Sequence, residues 1–115
     1  MCHISVLEFF IKNIEAKEFD GKRILEVGSK YINGSVRPLI EKFFSLKEYI
    51  GIDIESGKFV DLILPAENLL WYFGSETFDV IIATELLEHI MDWRLVINNM
   101  KMVLKCGGYI YHNSF

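Results

Sequence analysis

At 115 residues the chain falls within the length of one domain and is long enough to bury a core of its own. Apolar residues make up 51% and charged residues 24%, with no tract rich in Pro, Gly or Ser, which excludes an intrinsically disordered protein. The net charge of −4, from 16 acidic against 12 basic residues, comes without any block of Lys or Arg, so a nucleic-acid backbone has no electrostatic footprint to meet.

Residues 1–20 predict an amphipathic helix. Ile4, Leu7, Ile11 and Ile14 recur at helical spacing, while Glu8, Lys12, Glu15 and Lys17 occupy the rest of the turn. Asp20-Gly21 stops this helix, and Arg23–Val27 reads as a short strand, mostly apolar as expected where both faces are covered. A glycine turn follows. Ser35 is the expected N-cap of the next helix, Pro38 is tolerated in its first turn, and Val36, Leu39, Ile40 and Phe43 form its inward face. Tyr49–Ile54 and Phe59–Leu64 predict a second and a third strand, the latter followed by Pro65 and a short helix or turn over Ala66–Trp71. Phe78–Ala83, FDVIIA, is the clearest buried strand. Asp92 can cap a long helix with Trp93, Val96, Ile97, Met100 and Leu104 inward, closed by Gly107-Gly108, and Tyr109–His112 is the last strand.

Parallel strands require long crossover connections of one hand, so this alternation predicts an α/β fold: a three-layer, Rossmann-like sandwich around a mainly parallel sheet of about five strands. With no repeat and no linker, residues 1–115 read as a single domain, an N-terminal helix over 1–20 and a core over 22–114.

In such sheets ligands bind beyond the carboxyl ends of the strands, where the strand order reverses. The first of these loops holds Gly28, Ser29, Asn33 and Gly34, and lets backbone approach a ligand at a helix start. Its G-x5-G spacing is not the G-x-G-x-x-G of a dinucleotide site, because Lys30 and Tyr31 stand where further glycines are needed to seat a pyrophosphate. Glu26 is an acid inside an apolar strand, costly unless something binds it, and so points to a ligand amine or a water network. Asp53 closes the second strand, where an acid can accept from ribose hydroxyls or cap a loop.

The stretches ILEVGSKYINGSVRPLI, YIGIDIESGKFVDLILPAENL, FDVIIATELLEHIMDW and LKCGGYIYHNS resemble, in this order, the successive motifs of class I S-adenosylmethionine-dependent methyltransferases. The resemblance implies S-adenosylmethionine as cofactor and S-adenosylhomocysteine as product. It places Glu26, Gly28, Ser29 and Gly34 along the methionine part, Asp53 at the ribose and Ile54 near the adenine. Where the family commonly has an acid in a D-A-E type run, this chain has Pro65, so Ala66 or Glu67 has to contribute to adenine recognition instead. Ser29 replaces a glycine that many members carry.

Thr84 and Glu85 follow the fourth strand, at the mouth where the resemblance implies that the methyl group is presented. Glu85, Glu88 and His89 share a helical face. Their E-x-x-E-H run resembles that of small-RNA 2′-O-methyltransferases, where it helps bind a divalent ion. The same letters are widespread in the superfamily without metal, and no metal is expected here. His89 and Glu85 are the candidates for catalysis, with His89 as a general base or as a structural tie at the strand-helix junction.

The class I sheet typically has seven strands in the order 3-2-1-4-5-7-6, whereas these residues account for the first five. The resemblance therefore implies an uncovered edge on the fifth strand, filled in a homodimer, by a partner chain or by further sequence. Two functions follow: methyl transfer to an unidentified oxygen, nitrogen or carbon acceptor, or a catalytically incomplete cofactor-binding or scaffold module working as a subunit or dimer. Two cysteines, Cys2 and Cys106, form no C-x-x-C pair or disulfide framework, and no apolar run is long enough to span a bilayer, so a cytoplasmic protein without a membrane partner is expected.

Overall fold

The computed structural model describes residues 19–29, 37–83 and 93–112, apart from the side chains of residues 93 and 112. Strand β1 spans Arg23–Val27, helix α1 Arg37–Phe43, strand β2 Glu48–Asp53 and strand β3 Leu62–Ile63. A 3-10 turn over Ala66–Asn68 leads into helix α2, Leu69–Phe73, and then come β4, Phe78–Ala83, helix α3, Trp93–Val103, and β5, Leu104–His112. The strands form one sheet in the order β3-β2-β1-β4-β5, and every neighbouring pair is parallel. The expected α/β architecture, with its five-stranded parallel sheet, is therefore present.

Both faces of the sheet are covered, which is why β1 and β4 read as nearly continuous apolar runs. On one face Leu25, Val27, Ile52, Ile81 and Ala83 pack under Leu69 of α2 and Val96, Met100 and Val103 of α3. On the other, Ile24, Val80 and Ile82 pack with Tyr49, Phe19 and Ile40 of α1. Each fully buried Leu or Ile contributes about 2 kcal/mol relative to exposure. Polar ties set the alignment: Asp79 accepts from the Arg23 amide at 2.9 Å, and buried Asn99 of α3 accepts from the Leu70 amide at 2.9 Å.

Several boundaries differ from the sequence reading. Strand β2 runs one residue earlier than expected, leaving Ile54 outside it and 68% exposed. Phe43 points to solvent instead of inward, at 58% exposure, so α1 buries Ile40 alone. Strand β3 shrinks to two residues: the chain turns at Phe59, φ 68°, with the Val60 amide donating to the Gly57 carbonyl, and pairing with β2 spans only Leu62 and Ile63. No helix spans the connection from β2 to β3; residues 54–61 cross as a loop.

Helix α3 stops at Val103, and Leu104 already belongs to β5, so Leu104 is not part of the helical stripe and Gly107-Gly108 is not its cap. The glycine pair instead forms a bulge. Phe78 pairs with Leu104 and Val80 with Tyr109, so the intervening part of β5 bows out, with Gly107 at φ 83°. A Cβ on Gly108 would lie 2.6 Å from the Asp79 carbonyl oxygen. Regular pairing resumes at Tyr109, where the last strand was expected.

The N-terminal helix, the Ser35 cap and the Asp92 cap lie outside the described residues. No helix among the described residues is long and apolar enough to cross a membrane.

Candidate functional site

The chain builds β1, β2 and β3 outward in one direction and then returns to lay β4 on the other side of β1, so the strand order reverses between β1 and β4. Ligand crevices open at the carboxyl ends of strands at such a point. Glu26, Gly28 and Ser29 lie at that end of β1, Asp53 and Ile54 at that end of β2, and Ala66 and Glu67 just after β3. The register Val27↔Ile52 and Asp53↔Ile63 brings these three termini level.

Gly28 makes the turn out of β1 at φ 78°, a conformation that costs other residues strain. The amides of Gly28 and Ser29 both donate to the Ile52 carbonyl at 2.9 Å, which pins the turn onto β2 and commits those two donors to the sheet. Ser29 is 2% exposed, and its Oγ has no hydrogen-bond partner among the described residues. It rests on Gly51: a Cβ there would come within 2.5 Å of Ser29 Oγ and 2.3 Å of the Phe59 carbonyl oxygen. Only a glycine lets β2, the first loop and the β2–β3 loop meet.

Glu26 is buried, and Oε1 accepts a 2.6 Å hydrogen bond from the Tyr49 hydroxyl. Burial raises its pKa from the ordinary 4.5 to about 7, while the Tyr49 hydrogen bond and the Arg37 charge pull it down. Burial also pushes the Tyr49 hydroxyl well above its usual range, and the adjacent Glu26 acts in the same direction. Arg37 lies over the Tyr49 ring, 4.7 Å from its centroid, and donates to the Tyr49 carbonyl at 3.3 Å. Its charge is engaged by Asp61 at 2.6 Å and by Glu41 at 3.3 Å.

Asp53 turns its carboxylate on its own loop. Oδ1 accepts from the Ile54 amide at 2.7 Å and the Glu55 amide at 3.3 Å, the loop-capping geometry weighed in the sequence. Ala66 is packed into the core at 6% exposure, whereas Glu67 is exposed. Gly34, Thr84, Glu85, Glu88 and His89 lie outside the described residues.

A family model described as a methyltransferase domain matches residues 5–115. The chain belongs to this methyltransferase family. Its strand order is that of the first five strands implied by the class I resemblance. No curated protein matches the chain.

Around the candidate site, sequence reasoning passed over Tyr49, Arg37, Asp61 and Gly51. Gly51 carried a signal, since a glycine within a strand marks a close backbone approach. Tyr49 carried none beyond alternation, which puts it on the same face of β2 as Gly51, the partner of Glu26.

Proposed function

We propose that this methyltransferase domain binds S-adenosylmethionine at the carboxyl ends of β1 and β2 and serves methyl transfer to an oxygen, nitrogen or carbon acceptor. The observation that carries the reading is Glu26, a buried carboxyl one residue from the end of β1 at the point of strand reversal. The Tyr49 hydroxyl engages one of its oxygens but is neutral, so the buried carboxylate gains from a cationic partner at the strand end. The neighbouring groups suit an amino acid joined to a nucleoside: Glu26 can accept from an ammonium, the unsatisfied Ser29 hydroxyl can donate or accept, and Asp53 ends the strand where ribose hydroxyls are met. Exposed Ile54 and Glu67 offer an apolar surface and an acceptor for the base.

When bound, S-adenosylmethionine supplies an electrophilic methyl group on a sulfonium. The chain's share is to bind and orient, since holding an acceptor in line accounts for a large part of the acceleration in such transfers. His89 and Glu85 are proposed to receive or steer the acceptor's proton. Calorimetric titration with S-adenosylhomocysteine, with NAD in parallel, tests the reading. Saturable one-to-one binding of the former alone supports it, and no binding by the folded protein overturns it.

The outer edge of β5 supports a second reading, a cofactor-binding module that works as a subunit or homodimer. Among the described residues no strand pairs with that edge, and Tyr109 on it is 46% exposed. Light scattering decides between a dilute monomer and a dimer.

A further inference from the structure

The Glu26–Tyr49 pair sits in a setting that joins binding to proton balance. Both side chains are buried and share one hydrogen bond of 2.6 Å. The only nearby cation among the described residues, Arg37, is held by Asp61 and Glu41, so it is not a dedicated counter-ion for Glu26. Asp53, at the end of β2, adds a charge of the same sign as an ionised Glu26. Among the described residues this face also holds Ile24, Val80 and Ile82 under Phe19 and Ile40, with Tyr111 of β5 packed against them. A carboxyl so placed holds its proton to higher pH than an exposed one, and a positive group arriving to pair with it favours the charged form.

Resting on the cofactor reading above, we propose that Tyr49 is a positioning residue whose hydroxyl holds the Glu26 carboxyl, so that a cationic amino group docking at the end of β1 displaces one proton from that carboxyl to solvent. The balance is simple: the ligand's ammonium keeps its protons, Glu26 loses one, and buffer takes it up. Tyr49 keeps its own proton throughout and donates it to the carboxylate that forms. A hydrogen bond to the charged form favours that form, so Tyr49 holds ionisation within reach of neutral pH against the effect of burial. Burial, the largest influence on Glu26, sets the midpoint of this exchange near 7.

The experiment has a ligand-free and a ligand-bound arm. Carbon-13 NMR of the Glu26 carboxyl in the unliganded protein is expected to titrate near 7, and Tyr49→Phe is expected to move the midpoint upward. An unchanged midpoint overturns the role of Tyr49. In the bound arm, calorimetry with S-adenosylhomocysteine on the unmodified protein, in buffers of different ionisation enthalpy, is expected to count about one proton released at pH 6 and about tenfold weaker affinity there than at pH 8. Tyr49→Phe moves that pH profile upward, Glu26→Gln flattens it, and 5′-methylthioadenosine, which lacks the ammonium, binds without proton release. Binding of S-adenosylhomocysteine with no proton release overturns the coupling and leaves the cofactor reading standing. No binding at any pH overturns both the cofactor reading and the coupling, while a shifted Glu26 midpoint then still upholds the pairing.

Discussion

Arg37 at the start of α1 and Asp61 just before β3 meet at 2.6 Å, and the same Asp61 oxygen accepts from the Gly51 amide of β2 at 2.8 Å. One carboxylate thus ties a helix, the middle of β2 and the loop that reaches β3. This tie stands where a crossover helix is absent, since residues 54–61 have no helix to cover that part of the sheet. Arg37→Ala is expected to lower stability by about 1–2 kcal/mol, the range of a charged hydrogen bond discounted for the exposure of Asp61. Arg37→Lys recovers little of it, because lysine lacks the planar fork that reaches Asp61 and the Tyr49 carbonyl together. Urea unfolding measures both.

Glu26 makes stability depend on pH. Its pKa is about 7 in the folded protein against 4.5 ordinarily, so between those values the folded state holds a proton that the unfolded state has lost. Stability is therefore greatest below 4.5 as far as this group is concerned, falls as pH rises toward 7, and levels off above it. The full change is on the order of 3 kcal/mol. Glu26→Gln keeps an acceptor for Tyr49 and carries no charge. The difference in unfolding free energy between variant and native protein is expected to grow in the variant's favour from pH 4.5 to 7 and stay constant beyond.

Gly51→Ala drives a methyl group into the Phe59 carbonyl and the Ser29 hydroxyl, at 2.3 and 2.5 Å. The carbonyl belongs to backbone already held in a left-handed turn and cannot move cheaply. A loss of about 2–3 kcal/mol is expected. Thermal melts report it, and the first loop shifts with it, so affinity for S-adenosylhomocysteine falls in the same variant.

Asp53→Ala separates loop capping from ligand binding. Two amide hydrogen bonds at the end of β2 are lost, at a cost of about 1 kcal/mol. If Asp53 also accepts from the ribose, affinity for S-adenosylhomocysteine falls about tenfold or more, equivalent to about 1.4 kcal/mol. Undiminished affinity in a folded variant takes Asp53 out of the site.

Strands β1 and β4 were legible residue for residue, as was the order of the elements, because each is a local apolar run whose two faces meet helices whatever the details of packing. The motifs that resemble the methyltransferase family lie along the same runs, so the strand order implied by that resemblance is the one observed. What alternation and spacing could not reveal depends on contacts between residues far apart in sequence. Tyr49 reaches Glu26 only through the register of β2 on β1. Gly51 matters because two loops close over it, β3 is cut short by the turn at Phe59, and Gly107-Gly108 bows β5 out where a helix cap was expected. Local sequence sets which segments are strands and helices, since burial on one or both faces leaves its period in the chain. Register, close approach and the protonation of a buried acid are properties of pairs, and only the assembled sheet decides which pairs form.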